Sequence, residues 1–568
     1  MNKAGKVRFL LIISAFAGSA VLLTVIQAPV GAAALAWVSL VPFILACSPQ
    51  VRPRHLAAAA YFVSLCYWLG NLYWMAPVTW LGWATLCAYM AFLWPLLALC
   101  LRYCRTKKVP LFIAAPILFV GAERLQGVFL GGFFWRFLAH SQYANITIIQ
   151  IADIFGAAGV SFLVAMVNGL VAELLIAAQR RILFARTNLL KIAVVGSAVF
   201  LAAVYGLWRI AQTEQFLHTG PMVGALQSNV PQFVKDSGLT ESDRQIFNDL
   251  LEKNDACAKA GAQLVVWPET MVPGILDDRI LRILSDSTSH KLLDRCLKDH
   301  AAGRSHILVG ASGGEPLVGD DGKIDFARRY NSAFLYTPDG AQADRQYNKI
   351  HLVPFGEVVP CKKSAPWLHG LMMKFTPYDY DYTLDYGTEY TVFEIADGKG
   401  PDYNFGVLIC YEDAVPYIAR RFALDERGAK RLDWLVNISN DGWFVRFEDG
   451  RVFPSAELAE HTAVCVFRAV ENRLAVVRSV NTGISCLIDT VGRVKNAFLA
   501  GTLPEKAMER KGVAGWFVDK VPIDKRVTLF SRYGQWLDFC CAAGFVGCII
   551  IPPLGRFVRK RKVEGPEK

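Results

Sequence analysis

The sequence predicts a helical membrane protein that carries a separate α/β domain. Of the 568 residues, 54% are hydrophobic and 19% are charged, and the mean hydropathy of +0.31 is high for a soluble protein. Apolar stretches dominate the first 210 residues, whereas strand-like and helix-like patterns alternate later. We therefore expect membrane helices in 1–218, an α/β domain in 219–530, and a last membrane helix with a basic tail in 531–568.

Eight apolar stretches approach the roughly 20 residues that a helix needs to cross a bilayer. They lie near 8–27, 33–48, 57–76, 79–101, 110–130, 153–178, 190–210 and 536–554. A cleaved signal peptide would account for the first stretch but not for those that follow. The sequence thus predicts a polytopic base of about eight transmembrane helices, the second of them short.

Basic residues cluster in every second connection between these stretches. The clusters are Lys3, Lys6 and Arg8; Arg52 and Arg54; Arg102, Arg105, Lys107 and Lys108; Arg180, Arg181, Arg186 and Lys191; and Arg556, Arg559, Lys560, Arg561 and Lys562. The alternate connections are nearly free of Lys and Arg, with Arg136 as the exception. Because basic residues favour the cytoplasmic side, both termini are predicted to be cytoplasmic and 219–530 to lie on the outer side. The net charge of +11 then reflects topology rather than a nucleic-acid-binding face.

The region 219–530 has the alternation of strands and helices that is typical of an α/β domain. Apolar runs predict strands at 262–269, 306–312, 331–340, 404–410 and 432–440. Helical spacing predicts helices at 242–261, ending at Gly261, and at 456–473, and a strand pair is predicted over 475–494.

One segment of this domain, residues 362–380, is rich in aromatic and Met side chains although its context is that of a loop. Two interpretations are open. The segment could be a loop packed on the domain's own core, or a mobile, membrane-facing lid over the reactive site. Large apolar patches usually mark interaction sites, which favours the lid.

Three reactive side chains stand where predicted strands end. Glu269 ends "VVWPE", Lys349 follows "RQYN", and Cys410 follows "FGVLI". Strand ends of an α/β sheet converge on one edge, where such proteins place their sites. A carboxylate can take the proton of a cysteine nucleophile, and a lysine can stabilise the oxyanion that its attack creates. A helix predicted from Asp413 to Leu424 would direct its positive end toward the thiolate.

The residues alone leave other roles open for these side chains. A cysteine that closes a strand is often an inert core residue or a disulfide partner, and a buried Glu–Lys pair is often structural. The 14 cysteines do not have the spacing of a disulfide framework or of a zinc site. Packing is therefore the simplest alternative to catalysis for Cys410.

The motifs are more specific than their spacing. In this order, "WPE", "NKIHLVPFGE" and "CYE" resemble the nitrilase, or carbon–nitrogen hydrolase, superfamily. Seven apolar stretches precede these motifs and one follows them, and in this arrangement the whole chain resembles the apolipoprotein N-acyltransferase family. Two further blocks, "NISNDGWF" (437–444) and "RAVENRLAVVRSVNTGIS" (468–485), are similar to downstream blocks of that family. The resemblance implies a nitrilase-like αββα sandwich on an eight-helix membrane base. It assigns catalysis to Glu269, Lys349 and Cys410, with Glu357, Tyr411 and Glu412 in support.

The resemblance also implies a function, the last step of bacterial lipoprotein maturation. The enzyme would lie in the inner membrane with its catalytic domain in the periplasm. The donor would be a phospholipid, usually phosphatidylethanolamine, and the acceptor the α-amine of diacylglyceryl-cysteine on an apolipoprotein. The acyl group would pass through a cysteine thioester, with no metal, organic cofactor or nucleic acid. The candidates for an apolar wall that binds lipid are Trp367, Leu371, Met372, Trp443 and Phe444.

Two other functions remain as alternatives. A membrane-tethered amidase or nitrilase would use the same residues with water as the acceptor. A non-enzymatic membrane-binding protein would use none of them. The apolar stretches favour the transferase over the hydrolase, because an enzyme for soluble substrates needs no such base. The complete set of Glu, Lys and Cys counts against the non-enzymatic protein.

Overall fold

The computed structural model divides the chain into two compact units. The described residues are 3–230, 241–318, 324–359, 362, 364–374, 376, 382–396, 401–448 and 451–563. The first unit comprises Met1–Ala76, Trp83–Arg209 and Tyr533–Lys568, and the second comprises Pro77–Gly82 and Ile210–Arg532. All described strands belong to the second unit.

Apolar helices build the first unit. Its longer α-helices are Lys3–Val25, Pro53–Asn71, Trp80–Met90, Leu93–Thr106, Leu111–Gln126, Ala157–Gln179, Arg186–Phe216 and Trp536–Val563. Among the described residues, four segments are long and apolar enough to cross a membrane: Lys6–Val25, Trp80–Thr106, Ala157–Gln179 and Arg186–Phe216. Ala33–Ala46, Ile146–Phe155 and Trp536–Ile551 are shorter apolar helices. The several apolar helices that we predicted are confirmed, and the count of eight stays a prediction.

The surface of these helices is suited to lipid rather than water. Helix Arg186–Phe216 exposes large apolar side chains such as Phe200, Leu201 and Trp208, which would be unfavourable in water. A buried carboxylate inside the unit is paired: Asp153 accepts hydrogen bonds from Arg209 Nε at 2.7 Å and from the Tyr205 hydroxyl at 2.6 Å. An exposed apolar surface and a paired interior carboxylate are typical of a membrane protein.

The second unit contains two main sheets and a short hairpin. Its strands are β1 Leu217–Gln227, β2 Leu264–Val266, β3 His306–Val318, β4 Ile324–Tyr336, β5 Gln342–Asn348, β6 Val392–Ile395, β7 Tyr403–Ile409, β8 Trp434–Ser439, β9 Arg446–Glu448, β10 Arg451–Phe453, β11 Ala475–Val480, β12 Cys486–Ile488, β13 Ala500–Gly501 and β14 Gly515–Asp524. The first sheet has the order β13-β14-β1-β2-β3-β4-β5, and the second has the order β12-β11-β8-β7-β6. Strands β1, β2 and β3 are parallel, as are β7, β8 and β11.

Helices pack on both sheets. Glu241–Lys259 and Ser289–Ala301 pack on the first sheet, and the apolar core between them and the sheet includes Phe247, Leu250, Trp267, Leu297 and Val309. Pro416–Ala423 and Glu457–Asn472 pack against the second sheet, and every residue of the latter helix is buried.

The two sheets face each other, which gives the four layers of an αββα sandwich. The hydroxyl of Ser479 on β11 lies 2.8 Å from the carbonyl oxygen of Leu226 on β1 and 2.9 Å from that of Val266 on β2. A side chain of the second sheet thus reaches the backbone of the first. This arrangement confirms the predicted α/β sandwich.

The predicted strands and helices of this unit are found, but two local predictions need correction. The helix expected from Asp413 begins later: Cys410–Ala414 is a 3₁₀ turn, and the α-helix runs over Pro416–Ala423 because proline favours the first position of a helix. The segment 362–380 contains a helix, Pro366–Met373, with no buried residue, so this helix is not packed on the core. Phe375 and residues 377–381 lie outside the described residues.

Candidate active site

Strands from both sheets deliver the three predicted catalytic residues. Glu269 lies shortly after β2 and Lys349 directly after β5, both in the first sheet, whereas Cys410 directly follows β7 of the second sheet. Lys349 Nζ lies 3.4 Å from Glu269 Oε1 and 2.8 Å from Glu357 Oε1. Both Glu269 and Lys349 are buried. The fold therefore brings Lys349 together with two of the predicted carboxylates.

Cys410 has a strained backbone. Its φ of +53° lies in the left-handed region, which residues with a Cβ rarely adopt and which costs about 1–3 kcal/mol. Asn437 Nδ2 donates to the carbonyl oxygens of Leu408 and Cys410, both at 3.2 Å, and so holds the turn. Strain of this kind concentrates at functional sites. The strained turn therefore favours a functional role for Cys410 over simple packing.

Burial, together with the charges around Cys410, leaves its thiol protonated in the resting state. Burial raises the pKa of the thiol, and the Glu269 carboxylate raises it further, whereas the charges of Lys349 and His461 lower it. The net direction is upward. Cys410 can therefore act as a nucleophile only if a base removes its proton, and the Glu269 carboxylate is a base whose charge acts directly on the thiol.

Lys349 is a cation in this site. Burial disfavours its charged form, but the carboxylates of Glu357 and Glu269 outweigh burial and raise the pKa of Lys349. A lysine that stays protonated can stabilise an oxyanion but cannot serve as a base. The geometry thus separates the roles of Glu269 and Lys349.

Asn331 is a site residue that the sequence analysis missed. Its Nδ2 donates to Glu269 Oε1 at 2.7 Å and to Glu357 Oε1 at 2.9 Å, and its backbone carbonyl oxygen accepts from the backbone N–H of Lys349 at 2.8 Å. The other oxygen of Glu269 accepts from the backbone N–H of Asn440 at 2.9 Å. These N–H donors fix the Glu269 side chain, whose two carboxylate oxygens both accept hydrogen bonds. Asn331 lies inside β4, where the strand pattern carries no signal for a site, whereas Asn440 lies in the block "NISNDGWF".

Glu412 ties the cysteine turn to the lysine loop. Its carboxylate accepts from the backbone N–H groups of Ile350, His351 and Ile409 at 2.7, 2.9 and 2.8 Å. The Tyr347 hydroxyl lies 2.9 and 2.8 Å from its two oxygens. Burial raises the pKa of Glu412 to about 7, although the hydrogen bonds act to lower this pKa. The buried Glu412 carboxylate thus has hydrogen-bond donors from both the cysteine turn and the lysine loop and holds the two segments together.

His351, in the lysine loop, lies beside two tyrosines, Tyr411 and Tyr417. The ring of Tyr411 lies 5.8 Å from that of His351, whose Nδ1 is 2.8 Å from the Tyr417 hydroxyl. Burial, with the charge of Lys349, lowers the pKa of His351 to about 4, so that it is neutral near pH 7. His351 therefore adds no positive charge beside Lys349.

The apolar candidates differ in exposure. Trp443 and Phe444 are half-buried in the 3₁₀ turn Asp441–Phe444, which begins one residue after the Asn440 N–H that binds Glu269. Trp367 is 75% exposed and Leu371 is 46% exposed, and Met372 beside them is half-buried. The first pair adjoins the site along the chain, and the second group offers an outward apolar surface.

A group of potential metal ligands lies in the same unit. Ligand atoms of Asp441, Glu457 and His461 lie within 4.8 Å of one another, and all three residues are buried. Both ring nitrogens of His461 already face carboxylates, and Arg478 pairs with Asp413 beside it. This cluster is therefore an internal ion-pair network.

Comparison with known proteins gives first the class and then the family. The family model described as "Carbon-nitrogen hydrolase" matches residues 222–503, which contain Glu269, Lys349 and Cys410. The description "Apolipoprotein N-acyltransferase N-terminal domain" matches residues 19–170. The second unit is thus of the carbon–nitrogen hydrolase class, joined to a helical region of one particular family.

Full-length relatives agree. The chain is 30% identical to the apolipoprotein N-acyltransferase of Geobacter metallireducens, over 93% of this chain and 92% of that protein. It is 26% identical to that of Rhodopirellula baltica, over 91% and 93% of the two chains. Among solved structures, the chain is similar to an amidase from Nesterenkonia sp., with a TM-score of 0.33 and 15% sequence identity. The match covers 54% of this chain and 92% of the amidase chain. The chain belongs to the apolipoprotein N-acyltransferase family.

A glycine on β3 sets the position of the proposed base, which gives a prediction. A Cβ on Gly310 would lie 2.7 Å from the backbone nitrogen of Thr270 and 2.9 Å from Glu269 Cα. Gly310→Ala should displace Glu269 and slow acylation of Cys410 about a hundredfold, because small misplacements in a site are costly. Single-turnover acylation with labelled phospholipid measures this rate.

Gly196→Ala is the matched control, because a Cβ there meets nothing within 4 Å. It should acylate at the wild-type rate. A wild-type acylation rate in Gly310→Ala would show that the contact with the Glu269 turn does not matter.

Proposed function

We propose that this chain transfers an acyl group from a phospholipid, through a thioester on Cys410, to the N-terminal amine of an apolipoprotein. One observation carries the proposal: Glu269 and Lys349 form a buried pair whose charges act on the strained Cys410 turn. The apolar helices of the first unit and the names of the full-length relatives supply the lipid and lipoprotein context.

In the first half-reaction, Glu269 accepts the proton of the Cys410 thiol as Sγ attacks the ester carbonyl carbon of the phospholipid. Lys349 stabilises the negative oxygen of the tetrahedral intermediate. When the C–O bond breaks, the lysophospholipid oxygen takes the proton from Glu269, and the acyl group remains on Sγ as a thioester.

In the second half-reaction, the neutral α-amine of the apolipoprotein attacks the thioester carbonyl. Glu269 accepts the amine proton and returns it to Sγ as the C–S bond breaks, which releases the amide. Glu357 supports this cycle by pairing with Lys349 at 2.8 Å. Tyr411 and Glu412 support it by shaping the turn next to the thiol.

Apolar surroundings favour transfer over hydrolysis. A thioester survives until the amine arrives only if water is kept away from it. Trp443 and Phe444 supply an apolar wall shortly after Asn440, whose backbone N–H binds Glu269. Helix Pro366–Met373 exposes Trp367 and Leu371, and we assign this surface to the acyl chains of the donor. An amidase acting on soluble substrates would have no use for either feature.

We further propose a location and partners. Residues 1–218 form the membrane base, 219–530 the catalytic domain in the periplasm, and 531–568 the last helix with its basic tail. Both termini are cytoplasmic in the bacterial inner membrane, as the distribution of Lys and Arg indicates. The donor is phosphatidylethanolamine, and the acceptor is a diacylated apolipoprotein.

The acyl-enzyme is the decisive intermediate. Cys410→Ala should form no hydroxylamine-sensitive adduct with labelled phospholipid, because the attacking atom is gone. Glu269→Gln should slow adduct formation at least about a hundredfold, since loss of a general base typically costs 10²–10⁴-fold. Gel detection of the labelled protein measures both variants.

Cys296→Ala is the control, because Cys296 is an exposed cysteine of the same unit; it should be labelled normally. Labelling of Cys410→Ala at the wild-type level would refute the nucleophile. A labelled wild-type enzyme that releases only fatty acid when apolipoprotein is added would support the hydrolase instead.

The apolar helix Pro366–Met373 can be tested by a triple variant. Replacing Trp367, Leu371 and Met372 with Ser should slow thioester formation from phospholipid, because the acyl chains lose their contact surface. The reaction of Cys410 with iodoacetamide should not change. Single-turnover acylation and peptide mass spectrometry measure the two reactions.

Leu317, Phe453 and Leu499 are exposed apolar residues of the same unit and provide the control. Their triple replacement with Ser should leave acylation unchanged. Equal acylation by the first triple variant and the wild type would rule out a role for this helix in donor binding.

Reporter fusions test the proposed orientation. A fusion after Gly220 should behave as exported and one after Lys108 as cytoplasmic, because basic residues cluster around the latter. Alkaline phosphatase activity measures export, and green fluorescent protein fluorescence measures a cytoplasmic position. The reverse pattern would place the catalytic domain in the cytoplasm and contradict the proposed topology.

A further inference from the structure

A buried ion-pair cluster adjoins the turn of Cys410, and the mechanism above does not use it. Its members are Asp413, Asp441, Glu457, His461 and Arg478, all of them buried. His461 lies at the centre. Its Nε2 is 2.8 Å from Asp413 Oδ1, and its Nδ1 is 3.2 Å from Asp441 Oδ1 and 3.3 Å from Glu457 Oε1.

This geometry makes His461 an imidazolium. A ring with carboxylates at both nitrogens donates from both, which requires two protons. Burial alone would lower the pKa of His461, but the carboxylates of Asp413 and Asp441 outweigh it and raise that pKa well above its usual range. The ring is therefore charged at neutral pH.

His461 connects two turns that carry parts of the site. Asp413 belongs to the turn Cys410–Ala414. Asp441 directly follows Asn440, whose backbone N–H donates to Glu269 Oε2 at 2.9 Å. One ring, on the fully buried helix Glu457–Asn472, thus holds the turn of the nucleophile and the turn that binds the base.

The cluster is close to neutral as a whole. Arg478 donates to Asp413 Oδ2 at 2.5 Å, and the Ser439 hydroxyl donates to Asp441 Oδ1 at 2.7 Å. Burial, with the charge of Asp441, raises the pKa of Glu457 to about 8, so that it is largely protonated at pH 7. Two carboxylates then balance two cations, and loss of the His461 charge would leave one carboxylate in excess.

The cluster also acts on the thiol. The charged groups that act on Cys410 are Glu269, Lys349, His461 and Asp441. The charge of His461 favours the thiolate, whereas that of Asp441 opposes it. A neutral side chain at position 461 would leave the opposing charge of Asp441 without its partner.

We propose that His461 is a positioning residue for acyl-enzyme formation, whose protonated ring joins the Cys410 and Asn440 turns and whose charge favours the attacking thiolate. The proposal rests on Cys410 as the nucleophile of the proposed function. It adds a residue that acts through the two turns and not by transferring a proton or an acyl group.

The test is the pH dependence of Cys410 alkylation by iodoacetamide in the full-length protein, measured by peptide mass spectrometry. His461→Gln should displace the rate profile upward by about one pH unit, which is about a tenfold lower rate at a given pH. Thr462→Val is the matched control, because this buried neighbour donates only to the carbonyl oxygen of Leu458 in its own helix. Its profile should match that of the wild type.

A second variant keeps the test decisive if His461→Gln does not fold. Asp441→Asn removes the charge that opposes the thiolate, so its profile should move to lower pH. A purely structural role would move neither profile, or both in the same direction. A folded His461→Gln with an unshifted profile, or an Asp441→Asn profile that fails to move to lower pH, would overturn the proposal.

Alkylation needs neither phospholipid nor apolipoprotein, so the two proposals can fail separately. Shifted alkylation profiles without transfer to apolipoprotein would leave His461 in its role and refute the substrate assignment. Normal transfer to apolipoprotein together with an unshifted His461→Gln profile would refute the role of His461 and leave the substrate assignment in place.

Discussion

The burial of the Lys349 cation is the constraint on which the rest of the site depends. A buried ammonium is stable only with close anionic partners, and removing one partner from a buried ion pair costs about 3–5 kcal/mol. Here Glu357 and Glu269 supply the charge at 2.8 and 3.4 Å. Asn331 bridges the same two oxygens, so the carboxylates cannot separate from the lysine independently.

That arrangement requires both sheets. Glu269 and Lys349 follow strands of the first sheet, and Cys410 follows a strand of the second, so the charges of Glu269 and Lys349 act on the Cys410 thiol only when the sheets pack face to face. Ser479 joins the sheets through backbone carbonyls. Glu412 joins the end of β7 to the loop after β5. The site is thus a product of the sandwich interface, and each of these contacts contributes to its geometry.

Electrostatics divides the work among the buried groups. In the proposed mechanism, the Lys349 cation stabilises the oxyanion and the Glu269 carboxylate accepts the proton. In the proposed role of His461, its imidazolium favours the thiolate without reacting. Two like charges in so small a volume would repel strongly, so each cation is paired with its own carboxylates. The membrane unit follows a different rule, because its helices expose large apolar side chains such as Phe200 and Trp208, and the buried carboxylate of Asp153 is paired with Arg209.

The sequence by itself determined the local features of this protein. Apolar runs and their terminating residues located the strands before Glu269 and Cys410, because side-chain alternation and turn residues act over a few positions. It also determined the apolar character of the first 210 residues and, through the motifs, the family. The expected helix start at Asp413 was wrong, because Pro416 and the 3₁₀ turn moved it.

Only the tertiary structure decided which distant residues meet. Asn331 lies inside an ordinary strand pattern, and His461 lies on a helix about 50 residues from Cys410, so no local rule could assign them to the site. Whether the segment after Lys362 is packed or exposed was equally open. The reason is physical: these contacts come from the packing of two sheets and their helices, which joins side chains regardless of their separation in the chain.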